Sequence, residues 1–213
     1  MLIKPKIATA ALVSLLLLGC SRQGEISTAG VTVLRSACPS VAIPMGTGDV
    51  TLFDPATSRD STAIDVVASI TNLRSACTEN ETQLVTNANF EVRALRRDPR
   101  GARDVVLPYF ATVVQGGANV VSKSVSRVAL HFADGELRAS TSGAANSQVS
   151  RSAATLPADI RREITRERKS GEEAAAIDPM ADPKVRAAVQ RSSFELLVGF
   201  QLTSDQLAYN MTR

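Results

Sequence analysis

The stretch Ala88-Asn89-Phe90-Glu91-Val92-Arg93-Ala94 alternates apolar and polar side chains without a break. A period of two puts Ala88, Phe90, Val92 and Ala94 on one face of an extended strand and Asn89, Glu91 and Arg93 on the other, so one face reads as core and the other as surface. Upstream, Ile64, Val66, Ala68 and Ile70 keep the same rhythm against Asp65, Ser69 and Thr71, with Val67 the one apolar residue on the outer side. Val105 to Val114 is apolar on both faces, as a strand inside a sheet is, and Pro108 within it has no N–H for a ladder and must sit at a bulge or an edge. Gly116-Gly117 reads as a turn. Val128, Leu130 and Phe132 then face one way with Arg127 and His131 opposite, Asp134-Gly135 reads as a hairpin turn, and Glu136 to Ser140 runs back. Short strands at this spacing, from about residue 34 to Gly143, predict a mainly β chain folded as an antiparallel sandwich.

The second half changes character. Ala158 to Lys169 is made of helix formers, mostly charged, and Ser170-Gly171 offers a stop. Ile160 and Ile164 are its only apolar pair at helical spacing, so this helix is expected to project from the core. Asp182-Pro183 places a cap and a first-turn proline at the start of another helix, with Val185, Ala188 and Val189 on its buried side. Phe194, Leu196, Val198, Phe200 and Leu202 alternate as a final strand, and Thr203 to Gln206 forms a capping box that opens a last short helix. The expected plan is a sandwich over residues 34–213 with a charged helical insertion at about 151–192.

The chain begins with Lys4 and Lys6 and an apolar run from Ile7 to Leu18, broken only by Thr9 and Ser14, which is the pattern of a signal peptide. About a dozen apolar residues fall short of the roughly 20 that a helix needs to cross a bilayer. The run ends in Leu17-Leu18-Gly19-Cys20, which resembles the lipobox of bacterial lipoproteins. That resemblance implies cleavage after residue 19 and acylation of Cys20. Several acyl chains, at about 0.8 kcal/mol per buried methylene, hold a protein on a membrane where one chain does not. Ser21 follows the cysteine where Asp would imply inner-membrane retention, so the resemblance implies the periplasmic side of the outer membrane. Residues 20–33, polar and small, read as a flexible tether between lipid and domain.

Cleavage would remove two of the 24 basic residues and none of the 21 acidic ones, leaving a nearly neutral chain. That balance gives no reason to expect nucleic acid as a partner. With Cys20 acylated, Cys38 and Cys77 remain, and an even remainder in an oxidising compartment predicts a disulfide. Closing a loop of about 40 residues, that bond stabilises by about 4 kcal/mol on the chain-entropy argument. Both cysteines end the same pentapeptide, Leu34-Arg35-Ser36-Ala37-Cys38 and Leu73-Arg74-Ser75-Ala76-Cys77, but the flanks do not extend it and no repeat is inferred.

The segments Leu197-Val198-Gly199-Phe200-Gln201-Leu202-Thr203 and Gln206-Leu207-Ala208-Tyr209-Asn210 resemble the ending of a family of alphaproteobacterial lipoproteins, and Leu107-Pro108-Tyr109-Phe110 resembles its middle. The resemblance implies an immunoglobulin-like type of sandwich and no assigned activity, with the charged segment from about 151 to 183 as extra material.

Candidate sites are sparse. His131 stands alone on the polar side of a strand, and no Gly-x-Ser-x-Gly, Ser-x-x-Lys, phosphate-binding loop or His-Glu-x-x-His occurs. Asp49, Asp54, Asp60 and Asp65, and Asp178 and Asp182, read as turn chemistry rather than metal ligands. Arg96, Arg97, Arg100 and Arg103, interleaved with Asp98 and Asp104, form the candidate contact for an anionic partner, against their reading as a solvated loop tip. The basic residues of the charged segment, Arg161, Arg162, Arg166, Arg168 and Lys169, sit among Asp159, Glu163 and Glu167 and read as a salt-bridged surface. The expectation is a non-catalytic structural, assembly or adaptor subunit without cofactor or metal, bound to the membrane through Cys20 and to an envelope protein. The alternative is a binding module for an envelope ligand such as peptidoglycan, lipid or an unfolded outer-membrane protein.

Overall fold

The computed structural model describes residues 36–166 and 177–212. The alternation at residues 88–94 belongs to a longer strand, β4 (Gln83–Arg96), paired as a hairpin with β3 (Ile64–Glu79) and flanked by β2 (Asp49–Phe53) and β7 (Arg138–Ser150) in the order β2-β3-β4-β7. The other sheet runs β1 (Ser40–Ala42), β8 (Phe194–Phe200), β5 (Arg103–Gln115), β6 (Asn119–Phe132). Every pairing is antiparallel except β1 with β8, a parallel contact three residues long that the alternation could not announce. The chain is mainly β, and its two four-stranded sheets share one core.

That core is the sum of the apolar faces. Leu84, Ala88, Phe90, Val92 and Ala94 of β4 join Leu107, Tyr109 and Val113 of β5, Leu130 and Phe132 of β6, and Leu196, Val198 and Phe200 of β8 in a single buried cluster. Burial of each large side chain contributes about 1.5–3 kcal/mol. Tyr109 stitches the sheets together: its ring meets Phe90 edge-on at 5.1 Å and its hydroxyl donates to the Ala144 carbonyl at 2.7 Å. Room for Phe90 comes from Gly143, where a Cβ would stand 2.3 Å from the ring.

Pro108 shows how the edge rule is met inside an interior strand. β8 pairs with β5 only over Tyr109–Gln115, and Gln201 N–H donates to the Pro108 carbonyl just beyond the end of β8. The N and C=O of one antiparallel residue point to the same side, so the missing N–H of Pro108 faces the side where β8 has ended rather than β6.

Three expectations are corrected. Asp134-Gly135 does turn, with Gly135 at φ 82°, but it joins β6 to β7, which lie in different sheets, so it is not a hairpin. A positive-φ glycine fixes the reversal, whereas the partner is chosen by the 13 residues over which β7 pairs with β4. The β region also runs past Gly143 to Ser150, through small and polar residues whose Ala145, Ser147 and Val149 are buried. Finally, the charged helix ends at Thr165 and does not project alone: α1 (Arg151–Ala154) leads to α2 (Ala158–Thr165), whose Ile160 packs with Val185 and Ala188 of α3 (Pro183–Arg191). A thin apolar face needs a cover, and the buried side of α3 supplies it. Arg168, Lys169, Ser170 and Gly171 lie outside the described residues.

The caps form as read. Asp182 accepts from Lys184 N at 2.8 Å, and α4 (Ser204–Thr212) opens on a capping box in which Thr203 N donates to Gln206 Oε1 at 2.9 Å and Gln206 N to Thr203 Oγ1 at 3.2 Å. Cys38, just ahead of β1, is bonded to Cys77 near the end of β3, so the bond ties one sheet to the other, with the two Cα atoms 6.2 Å apart.

Removing residues 194–213 deletes a strand flanked on both sides and should abolish the cooperative thermal transition in circular dichroism. Replacing residues 160–169 by a short Gly/Ser linker should leave that transition in place, because Ile160 belongs to the separate small cluster. Mass spectrometry of the unreduced protein should find no alkylatable thiol at Cys38 or Cys77, and the Cys38→Ser/Cys77→Ser double variant should lose about 2–4 kcal/mol in denaturant unfolding.

Candidate functional site

The arginine run lies where β4 leaves one sheet and β5 starts the other, and the structure separates its members. Arg96 continues the inward face of β4 by one more step of the alternation and is 3% exposed. Its Nε donates to the Glu136 carbonyl at 2.7 Å, Nη1 to Gly101 at 2.7 Å, and Nη2 to Ala133 at 2.8 Å and to Pro99, while the guanidinium carbon lies 5.2 Å from the centre of the Phe132 ring. Four of the five donors of the rigid fork are spent on converging carbonyls, and burial closes the group to an outside anion. Arg96 is therefore withdrawn from the anionic contact. The parity of β4 already carried that signal, since Ala94 and Arg96 fall on one face.

The other three are exposed, but two are engaged. Arg100 clasps Asp98, with Nη2 to Oδ2 at 2.6 Å, and that side-chain hydrogen bond, aided by the Arg100 backbone N–H, holds the Asp98 carboxyl well below the usual carboxylate range. Arg103 reaches Asp65 at 2.8 Å. Of the three exposed arginines of the run, Arg97 alone has no carboxylate partner among the described residues, so the run does not converge on a multi-arginine anion site.

The acidic residues do not converge either. Asp65 is taken by Arg103, Asp49 accepts the Ser69 hydroxyl, and Asp60 accepts from Ser58 at 3.5 Å. Asp178 and Asp182 cap the backbone N–H groups of Met180 and Lys184. His131 Nδ1 lies 2.6 Å from Asp104 Oδ1 in an exposed cross-strand pair. Among the described residues no group of three His, Cys, Asp or Glu could hold a metal ion, and no helix is long and apolar enough to cross a membrane.

No family model, curated protein or solved structure matches the chain. Any functional surface therefore has to be found in its geometry.

Two surface features stand out. The outer face of β3, β4 and β7 forms an open concavity of about 850 Å³ whose lining includes Val67, Leu95, Arg93 and Arg138. Arg93 is held by Glu91 at 2.9 Å, whose hydrogen bond raises the arginine pKa, whereas Arg138, the other cation lining the concavity, has no carboxylate partner among the described residues. The second feature is β6, the edge of its sheet, whose first nine residues, Asn119 to Arg127, are all exposed and include Val120, Val121 and Val125. Sequence reading missed β6 as an edge because order within a sheet is not encoded in alternation.

Arg96→Ala should destabilise the fold by about 3 kcal/mol, and Arg96→Lys nearly as much because an ammonium cannot fork to four carbonyls. Arg97→Ala should stay within about 0.5 kcal/mol of the parent. Urea unfolding of the three variants measures the contrast, and equal effects at 96 and 97 would refute the clamp.

Proposed function

We propose that this chain is a lipid-anchored periplasmic protein of the outer membrane, with an immunoglobulin-like β-sandwich that acts as a non-catalytic assembly or adaptor subunit for another envelope protein. The observation that carries this reading is the Cys38–Cys77 disulfide. Such bonds persist in oxidising compartments, which agrees with the signal-like start and with export. A tether from Cys20 would join the fold right beside that bond, so tension from a membrane anchor would be borne by a covalent link between both sheets rather than by the three-residue strand β1. An adaptor role is further supported by the exposed valines of β6, since apolar side chains left on a long strand edge favour pairing with another chain. Under this reading the lipobox resemblance, with Ser21 after Cys20, implies an anchor in the inner leaflet of the outer membrane, and the near-neutral charge gives no reason to expect nucleic acid as a partner.

A module that takes a small envelope ligand is the second reading, supported by the concavity beside Arg138.

Cys20→Ala should yield a protein that is uncleaved or no longer fractionates with outer membranes. Metabolic labelling with a palmitate analogue should mark the parent and not the variant. A variant that is processed normally and stays tightly in the membrane fraction would sink the anchoring assignment.

A further inference from the structure

We propose that β6 is a docking edge for an extended, acidic segment of a partner protein, which adds to the sheet as a fifth strand beside β6. The inference rests on the adaptor reading and names the chemistry of its partner.

β6 ends its sheet and pairs with β5 alone. Because the Pro108 carbonyl receives a bond from Gln201 on the β8 side, alternation along β5 turns Tyr109, Ala111 and Val113 toward β6. Their partners Ser126, Ser124 and Ser122 therefore spend their backbone groups on β5. Lys123, Val125 and Arg127 fall between them and direct their N–H and C=O groups outward at the free edge. These three residues also share the outer face of the sheet, opposite Thr112, Phe110 and Pro108. An incoming strand thus meets backbone donors and acceptors and, on the same residues, a cation, an apolar side chain and a second cation.

Charge selects the occupant. From Asn119 to Phe132 the strand carries Lys123, Arg127 and His131 and no acidic residue. His131 is matched by Asp104, whereas Arg127 has no carboxylate partner among the described residues, and Lys123 Nζ lies over the Phe110 ring at 5.4 Å from its centre. A second copy of β6 would bring like charges onto this edge in any register, which opposes self-pairing. A strand with two carboxylates four residues apart and an aliphatic residue midway places each carboxylate opposite a cation and the aliphatic side chain against Val125, which is 55% exposed. Such a pattern reads the same in both directions, so it fits parallel or antiparallel addition.

The test titrates the full chain in detergent with the labelled peptide Thr-Glu-Thr-Val-Thr-Glu-Thr, read by fluorescence anisotropy. Three controls accompany it: the peptide with Lys for Glu, the acidic peptide N-methylated at every amide from its first Glu onward, and the Lys123→Glu/Arg127→Glu variant. Saturable binding of the acidic peptide is expected, with loss on N-methylation. The double variant, exposed at both positions and expected to melt with the parent, should bind the acidic peptide about tenfold more weakly and turn its preference to the lysine peptide. Absence of binding, equal binding of the N-methylated peptide, indifference to charge reversal, or a β6-mediated dimer in sedimentation would each overturn the proposal. Failure of Cys20→Ala to release the protein bears on anchoring only, so the two readings fail separately.

Discussion

The carbonyls of Pro99, Gly101, Ala133 and Glu136 belong to the two connections that carry the chain between sheets at one end of the fold, and the Arg96 guanidinium takes hydrogen bonds to all four. Each crossing leaves strand pairing behind and so sheds backbone partners in a place that is partly closed to water, where an unmet carbonyl costs about 1–3 kcal/mol. A single planar cation against the Phe132 ring answers both crossings at once. The clamp holds the end of β4 beside both loops, next to where β5 begins and where β6 ends.

The opposite end is organised differently. There β1 meets β8, the hairpin of β5 and β6 turns at Gly116 and Gly117, and the disulfide joins the approach to β1 with the end of β3. The helices α1, α2 and α3 leave and return at this end too, between the last residue of β7 and the first of β8. Strands of 14 residues at about 3.3 Å per residue put roughly 45 Å between the two ends. Arg97 and Arg100 therefore lie at the other end of the strands from Ser36, the first described residue. Lys123 and Arg127 of β6 lie closer than that loop to the end where Ser36 sits.

How much of this was legible depended on what alternation can encode. Phe90 and Val92, Val128 and Leu130, Leu196 and Val198 declared both their strands and their inward faces, because burial on one side leaves a period of two in the sequence. Neighbours in a sheet leave no such trace, so the crossing at Asp134-Gly135 looked like a hairpin, and the apolar alternation that put β8 inside the sandwich did not name β1 and β5 as its neighbours. The end of β7 escaped because Ser147 and Gln148 give little hydropathy contrast, although Ser147 is 3% exposed. Arg96 was grouped with Arg97 by adjacency in sequence, when parity along β4 separated them; a buried charge is the case in which composition misleads and register informs.

The four sheet edges settle why β6 rather than another strand is open to a partner. β1 is too short to template anything beyond three residues. β2 is guarded by α4, where Tyr209 packs edge-on to Phe53 at 5.2 Å and the Asn210 side-chain amide donates to the carbonyls of Gly46 and Asp49 at 2.8 Å. β7 presents Ser140, Ser142 and Ala144 at its surface, side chains too small to add much apolar contact to backbone pairing. β6 alone combines length, apolar side chains and charge of one sign, since Lys123 and Arg127 deter a second β6 while leaving the backbone groups open. A fold that sought only to avoid pairing would gain from polar residues at 120, 121 and 125, as β7 has along its own edge. The valines kept there are consistent with a strand that excludes copies of itself and still accepts a complementary chain.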